Sequence, residues 1–253
     1  MSISIAERFE AGESLLMGWI SLPEPLVAEA VVRAGFDTLL IDMQHGLVDL
    51  ASAFRIVSAV RAAGGRSLVR IPVGEFATAS RLLDAGADGV VAPMIETVED
   101  ARAFAAFMKY PPAGSRSWGP TRAVQLDRVT PQQYRAEANG RTMAFAMIET
   151  RRALEEIDAI LAEPGIDGVF VGPADLSIAL SGGTLDTEAP AAQAAIAKVA
   201  GRAKAAGKPA GIYAGTPAEA RRRLDGGYRF ATLMSDLGYI TAGALAAIDA
   251  AKP

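Results

Sequence analysis

The chain has 253 residues, 51% hydrophobic and 21% charged, with a formal net charge of −4, no cysteine and a single histidine, His45. This soluble, mildly acidic composition gives no electrostatic footprint for nucleic acid or anionic membrane, and it excludes disulfides, thiolate catalysis, cysteine-held metals and sites built from two or three imidazoles. The N-terminal stretch MSISIAERFEAGESLL lacks the apolar core of a signal peptide and no apolar run approaches the ~18 residues that cross a bilayer, so a cytoplasmic protein of one domain over 1–253 is expected.

Short apolar or β-branched runs alternate with longer Ala-rich stretches. The predicted strands are, in order, LLMGWI (15–20), TLLIDM (38–43), RSLVRIP (66–72) and GVVAPMI (89–95). They continue with MAFAMIE (143–149), GVFVG (168–172), PAGIYAG (209–215) and FATLMSD (230–236). Between the early strands, PLVAEAVVRAGFD, ASAFRIVSAVRAAGGR, ATASRLLDAGADG and VEDARAFAAFMKYP place apolar residues at helical spacing. Ala-Gly or Gly-Gly pairs at 34–35, 64–65, 85–86 and 226–227 read as helix ends. Eight strand–helix units with wholly apolar strands predict a closed (β/α)₈ TIM barrel. A doubly wound open sheet is the alternative, but the chain carries neither G-x-G-x-x-G nor G-x-x-x-x-G-K-[ST]. Two polar stretches break the rhythm, an insertion at 110–142 containing Trp118 and a loop at 181–192. Both are expected at the C-terminal face of the barrel, where the insertion covers the site, reaches a neighbouring subunit, or is a plain surface excursion.

On a barrel, polar residues at C-terminal strand ends are the candidates for chemistry. Read in order they are Asp42 with His45, Arg70, Glu149 and Asp175. Each has a structural explanation of its own: Asp175 in GPADLS suits a helix cap, Arg70 an ion pair, His45 a satisfied core group. Their convergence on one rim favours a site. Glu149 and Asp175 form an oxygen-donor pair suited to Mg²⁺, Mn²⁺ or Co²⁺, or else a general acid/base pair. Arg70 favours the first reading, because a fixed cation beside two carboxylates matches an oxyanion developing on substrate. Where Val171-Gly172-Pro173-Ala174-Asp175 passes from strand to helix, the amides of Ala174 and Asp175 are candidate donors to a substrate carboxylate. Asp42 lies three residues before His45, close enough to orient the imidazole as a general base. Together these groups describe enolate chemistry on a 2-keto acid.

The segments LLIDMQHG (39–46), VRIP (69–72), YPPAGSR (110–116), IET (148–150) and GVFVGPADLS (168–177) resemble the HpcH/HpaI family of metal-dependent class II pyruvate aldolases, from about Met17 to about Asp236. The resemblance implies that Glu149 and Asp175 hold a divalent metal ion (Mg²⁺, Mn²⁺ or Co²⁺). By the same resemblance, Arg70 stabilises the enolate oxygen, His45 acts as base through water, and the Gly172–Pro173–Ala174–Asp175 backbone binds the carboxylate. It further implies Asp42 as partner of His45, Asp84 as an acidic group raising His45 basicity, and a homohexamer built as a trimer of dimers. In that assembly the C-terminal helix (AGALAAIDAA) would be swapped onto a neighbour. The family usually has Gln where this chain has Met147, two residues before Glu149 and on the same inward face. Trp118 and Ile212 are expected near the aldehyde entrance, with core packing the alternative for Ile212.

The implied activity is reversible cleavage of a 4-hydroxy-2-keto acid to an aldehyde and pyruvate, or a related 2-keto acid such as hydroxypyruvate. The small-molecule keto acid and aldehyde are the expected partners, with no nucleic acid and no membrane. Schiff-base aldol chemistry needs a lysine in the barrel mouth, and Lys109, Lys198, Lys204, Lys208 and Lys252 all fall elsewhere in the predicted order. A carbon–carbon lyase acting on acyl-CoA esters and a catalytically silent barrel are the remaining alternatives.

Overall fold

All eight predicted strands form, and in the computed structural model, which describes residues 3–252, they close into one parallel barrel in chain order. The strands are β1 Leu15–Ile20, β2 Thr38–Asp42, β3 Arg66–Arg70, β4 Gly89–Ala92, β5 Met143–Ile148, β6 Gly168–Val171, β7 Ala210–Ala214 and β8 Phe230–Leu233. Before and between the first strands come α1 Ile5–Glu10, α2 Pro25–Arg33, α3 Leu50–Ala62, α4 Phe76–Ala85 and α5 Val98–Met108. The insertion supplies α6 Thr121–Asp127 and α7 Pro131–Arg141. Then follow α8 Arg151–Glu155, α9 Ile157–Ala162, α10 Pro173–Ser181, α11 Pro190–Ala205, α12 Pro217–Asp225 and α13 Asp236–Ala251. No helix among the described residues is long and apolar enough to cross a membrane.

Strand alternation divides the core in two. Outward-facing Leu39, Ile41, Val69, Val90, Ala146, Val169, Val171 and Ile212 pack against the surrounding helices. Inward-facing Met17, Trp19, Leu40, Leu68, Val91, Phe145, Met147, Phe170 and Phe230 fill the lumen. The N-terminal end is floored by α1, whose Phe9 lies 6.3 Å from Phe145 and 5.6 Å from Phe230. These rings close the lumen at that end, so the inward-facing residues at the C-terminal strand ends are the ones left at an open mouth of the barrel. The glycines read as helix ends adopt the left-handed backbone those turns require, with φ of +120° at Gly35, +91° at Gly64, +103° at Gly86 and +99° at Gly227.

The insertion is at the other end of the barrel from the one expected. It separates α5 from β5, and a helix-to-strand connection lies at the N-terminal face, because the chain must return to where the next strand begins. There α7 packs on α1, and Tyr110, Ala123, Tyr134 and Ala138 form a small core of their own. Lys109 ties the segment down, its Nζ donating to Asn139 O at 2.8 Å, Thr142 O at 2.7 Å and Asp167 Oδ2 at 2.7 Å. Of the polar stretch 181–192, residues 182–189 connect α10 to α11, through left-handed Gly182 and Gly183, and its two ends are helical. The final helix α13 buries only Asp236 and leaves Leu237, Ile240, Leu245 and Ile248 more than half exposed.

Candidate active site

Asp42 and Arg70 are the last residues of β2 and β3 and are register partners across that parallel pair. Alternation sends both inward, one layer above Leu40 and Leu68. Arg70 Nε donates to Asp42 Oδ1 at 2.8 Å and its Nη2 to Oδ2 at 2.7 Å, a forked pair with both side chains buried. The guanidinium also lies 4.7 Å over the Trp19 ring, which packs edge-on against Tyr213 at 5.1 Å. Arg70 is therefore a preoriented cation held from two sides.

Asp42 does not serve the His45 imidazole as expected. Both its oxygens face Arg70, and Oδ1 further accepts the backbone N–H of Gln44 at 3.0 Å and of His45 at 3.4 Å. The carboxylate thus holds the turn that carries His45, whereas the ring itself is exposed on the loop after β2.

Glu149 follows β5 on the same inward face as Met147 and is 2% exposed. Its Oε1 accepts the backbone N–H of Met94 at 2.7 Å. Met94 holds φ at +55°, a left-handed conformation costing about 1 kcal/mol or more in a residue with a Cβ, and this aims the amide at Glu149. The other oxygen, Oε2, faces Gly172, where a Cβ would stand 2.7 Å from Oε2 and 3.2 Å from Met147 Cε. A Cβ at position 172 would press on that oxygen and force the Glu149 carboxylate to shift. Burial, and then the negative charge of Asp175, push the Glu149 carboxyl above its ordinary value, against the pull of the Met94 amide and Arg70.

Asp175 is exposed in the first turn of α10, with Pro173 at the first helical position and Gly172 as N-cap. Leu176 N already donates to Gly172 O at 3.0 Å, and the earlier amides of Ala174 and Asp175 lie among those a helix cannot satisfy internally. A carboxylate placed there meets N–H donors and the positive end of the helix.

A divalent cation suits this donor set. Two carboxylates that repel each other, one desolvated, are stabilised by a shared cation, and oxygen-only ligands select hard ions such as Mg²⁺ or Mn²⁺. Among the described residues there is no cluster of three or more His, Cys, Asp or Glu able to hold a metal. Remaining coordination positions would fall to substrate and water, the arrangement of a catalytic metal site.

Three expected site residues lie elsewhere in the chain. Asp84 sits in the last turn of α4 and accepts from Arg116 Nη2 at 2.6 Å, away from His45, because helices of a barrel end at its N-terminal side. Trp118 is in the insertion, 5.4 Å from Tyr110 and 6.2 Å from Tyr134, and does not line the mouth. Ile212 is fully buried on the helix-facing side of β7, so its packing role prevails. Alternation instead turns the next residue, Tyr213, into the lumen beside Trp19. That same period-two count along β1 and β7 was the available signal for Trp19 and Tyr213. Nothing in sequence signalled the Met94 amide. None of the five lysines stands at a strand end of the mouth: Lys109 pairs with Asp167, Lys198 donates to Leu154 O, Lys208 donates to Leu161 O and Glu163 O, Lys252 pairs with Asp249, and Lys204 is in the last turn of α11.

The HpcH/HpaI aldolase/citrate lyase family profile matches residues 15–242. The hydroxypyruvate/pyruvate aldolase of Rhizorhabdus wittichii is 41% identical over 242 residues, 95% of each chain. The 5-keto-4-deoxy-D-glucarate aldolase of Salmonella arizonae is 35% identical over 234 residues, 92% of this chain and 91% of the relative. The crystal structure of a family protein from Burkholderia cenocepacia superposes with a TM-score of 0.88 at 33% identity, covering 97% of both chains. Profile, relatives and superposed barrel agree over nearly the whole length, and the chain belongs to the HpcH/HpaI aldolase/citrate lyase family.

Proposed function

We propose that this carbon–carbon lyase reversibly cleaves 4-hydroxy-2-keto acids to an aldehyde and pyruvate or hydroxypyruvate, through an enolate and with a divalent metal. One observation carries the reading: Arg70 ends β3, Glu149 follows β5 and Asp175 opens the helix after β6, so a cation fixed by Asp42 and two carboxylates, one of them buried, share the C-terminal rim of one closed barrel. Glu149 and Asp175 would hold the metal, which when bound supplies Lewis-acid polarisation of the 2-keto acid. The amides of Ala174 and Asp175 bind the substrate carboxylate. Arg70, immobilised by Asp42 and Trp19, stabilises the oxygen at C2 as negative charge builds there. His45, through water, removes the proton of the 4-hydroxyl; the C3–C4 electron pair moves into the C2–C3 bond, and the aldehyde departs. Returning a proton to C3 gives the keto acid. Met147 fills the lumen below Glu149, and Tyr213 and Trp19 form the wall beside Arg70 that an acceptor aldehyde would meet. The relatives' names support this donor class, one being called a hydroxypyruvate/pyruvate aldolase.

A homo-oligomer is part of the proposal. The apolar face of α13 is open over Leu237, Ile240, Leu245 and Ile248, and half-exposed Trp118 adds a second apolar surface. Asp84 and Gly119, next to Trp118, line one cleft of about 330 Å³ on the outside of the barrel. If Asp84 raises the basicity of a His45, the histidine is on a neighbouring copy.

The direct test is exchange of pyruvate methyl protons in D₂O, followed by NMR with Mg²⁺, Mn²⁺ or Co²⁺ and with EDTA. Exchange that requires metal and stops with EDTA is expected; none with any metal overturns the enolate reading. His45→Ala should slow exchange by on the order of 10²–10⁴. An unchanged rate would assign the proton transfer to another group.

A further inference from the structure

Among the described residues, Asp236 is the one deeply buried acid whose burial the proposed chemistry leaves unexplained. It is 0% exposed, at the start of α13 just beyond β8. Other deeply buried acids have cations or a ligand role: Asp42 has Arg70, Asp88 has Arg66 and Arg61, and Glu149 faces the mouth. The bonds made by Asp236 are to backbone amides. Its Oδ2 accepts Ser21 N at 3.0 Å and Leu22 N at 2.8 Å, and its Oδ1 accepts Leu237 N at 2.9 Å. Burying a carboxylate on amides alone costs desolvation that an apolar residue would avoid.

The turn that Asp236 holds is the neighbour of the His45 loop. Ser21 O, on the residue held by Asp236, accepts Leu47 N at 2.8 Å. Gly46 sits directly against the same turn, where a Cβ would lie 3.0 Å from Ser21 O and 2.3 Å from Asp42 O. The loop is therefore pinned on two sides, by Asp42 through the amides of Gln44 and His45, and by Ser21 through the amide of Leu47.

We propose that Asp236 is a positioning residue for proton transfer: through the β1–α2 turn it fixes the loop that places His45, and it ties that loop to the foot of α13. The inference rests on the reading of His45 as the base. Misplacing a reacting group by about 1 Å costs on the order of a hundredfold in rate. Asp236→Asn keeps the shape but puts an N–H₂ against amide donors, releasing one side of the pin. Gly46→Ala disturbs the same loop from within.

The test measures three quantities on the full-length protein: pyruvate proton exchange, oxaloacetate decarboxylation and Mn²⁺ affinity by electron paramagnetic resonance. Decarboxylation breaks the C3–C4 bond, releases CO₂ and leaves its electron pair in the enolate, so no base is needed to form it. Asp236→Asn and Gly46→Ala are each expected to slow exchange by about ten- to a hundredfold. Decarboxylation and Mn²⁺ affinity should stay within about threefold, because Arg70, Glu149 and Asp175 are untouched, and the double variant should be no slower than the worse single one. Unchanged exchange in a folded Asp236→Asn protein overturns the proposal, as does parallel loss of all three readouts. His45→Ala separates the two levels. If it leaves exchange intact, the assignment of the base fails; if it abolishes exchange while Asp236→Asn does not, only the positioning role fails.

Discussion

Replacing Glu149 by Gln is expected to abolish metal-dependent turnover and, at neutral pH, to raise the melting temperature of the metal-free protein. The two effects have one cause. Desolvation and the Asp175 charge hold the folded-state pKa of Glu149 above its unfolded value. A carboxyl with a raised folded pKa binds protons more tightly when folded, so its ionised form opposes folding at neutral pH. Gln removes that charge and can still accept the Met94 amide. As pH falls through the raised folded pKa, wild-type Glu149 takes up its proton and the stability difference between the two proteins should shrink. Turnover should fall by at least about a thousandfold, as expected when several kcal/mol of Lewis-acid stabilisation is lost. Scanning calorimetry with and without Mn²⁺ checks the pair of claims: the ion should stabilise wild type and leave Glu149→Gln almost unmoved. Normal Mn²⁺ stabilisation of the variant would remove Glu149 as a ligand.

Arg70→Ala should be damaging twice over. As the cation proposed to meet the C2 oxygen, its loss should cost about 3 kcal/mol or more in kcat/KM, by analogy with deleted oxyanion donors. As the partner of Asp42, 2% exposed, its loss leaves a buried carboxylate without its cation, which destabilises by about 3–5 kcal/mol. Arg70→Lys discriminates between the roles. A lysine restores charge but not the fork to both Asp42 oxygens or the planar stack on Trp19, so it should recover part of the stability and little of the turnover. Urea unfolding and pyruvate exchange on the same samples measure both. Arg70→Ala turnover within about threefold of wild type would mean that another group meets the oxyanion.

These two residues also show how far sequence reaches. Each strand end is legible because the barrel is locally encoded: apolar runs of four to six residues, helix-ending glycines and period-two alternation specify Asp42, Arg70, Met147 and Glu149 as inward-facing before any tertiary contact is known. Counting alternation strictly also yields Trp19 and Tyr213, and it places Ile212 among the helices. The side of the barrel reached by the insertion was legible too, since it lies between α5 and β5; its proximity in sequence to strand four obscured this.

What sequence does not contain is which neighbour a polar group chooses. Asp42 lies three residues from His45 in the chain, but parallel register sets Arg70 directly across from it, and a forked ion pair outcompetes an exposed imidazole for a buried carboxylate. Asp236 reaches Ser21, more than two hundred positions away, only because the barrel closes β8 onto β1. The Met94 amide meets Glu149 through a left-handed backbone that no residue type there announces. Local patterning determined the strands, their inward faces and the residue types available at the mouth. Closure and register, which set distances between residues remote in sequence, decided the partner of each charge.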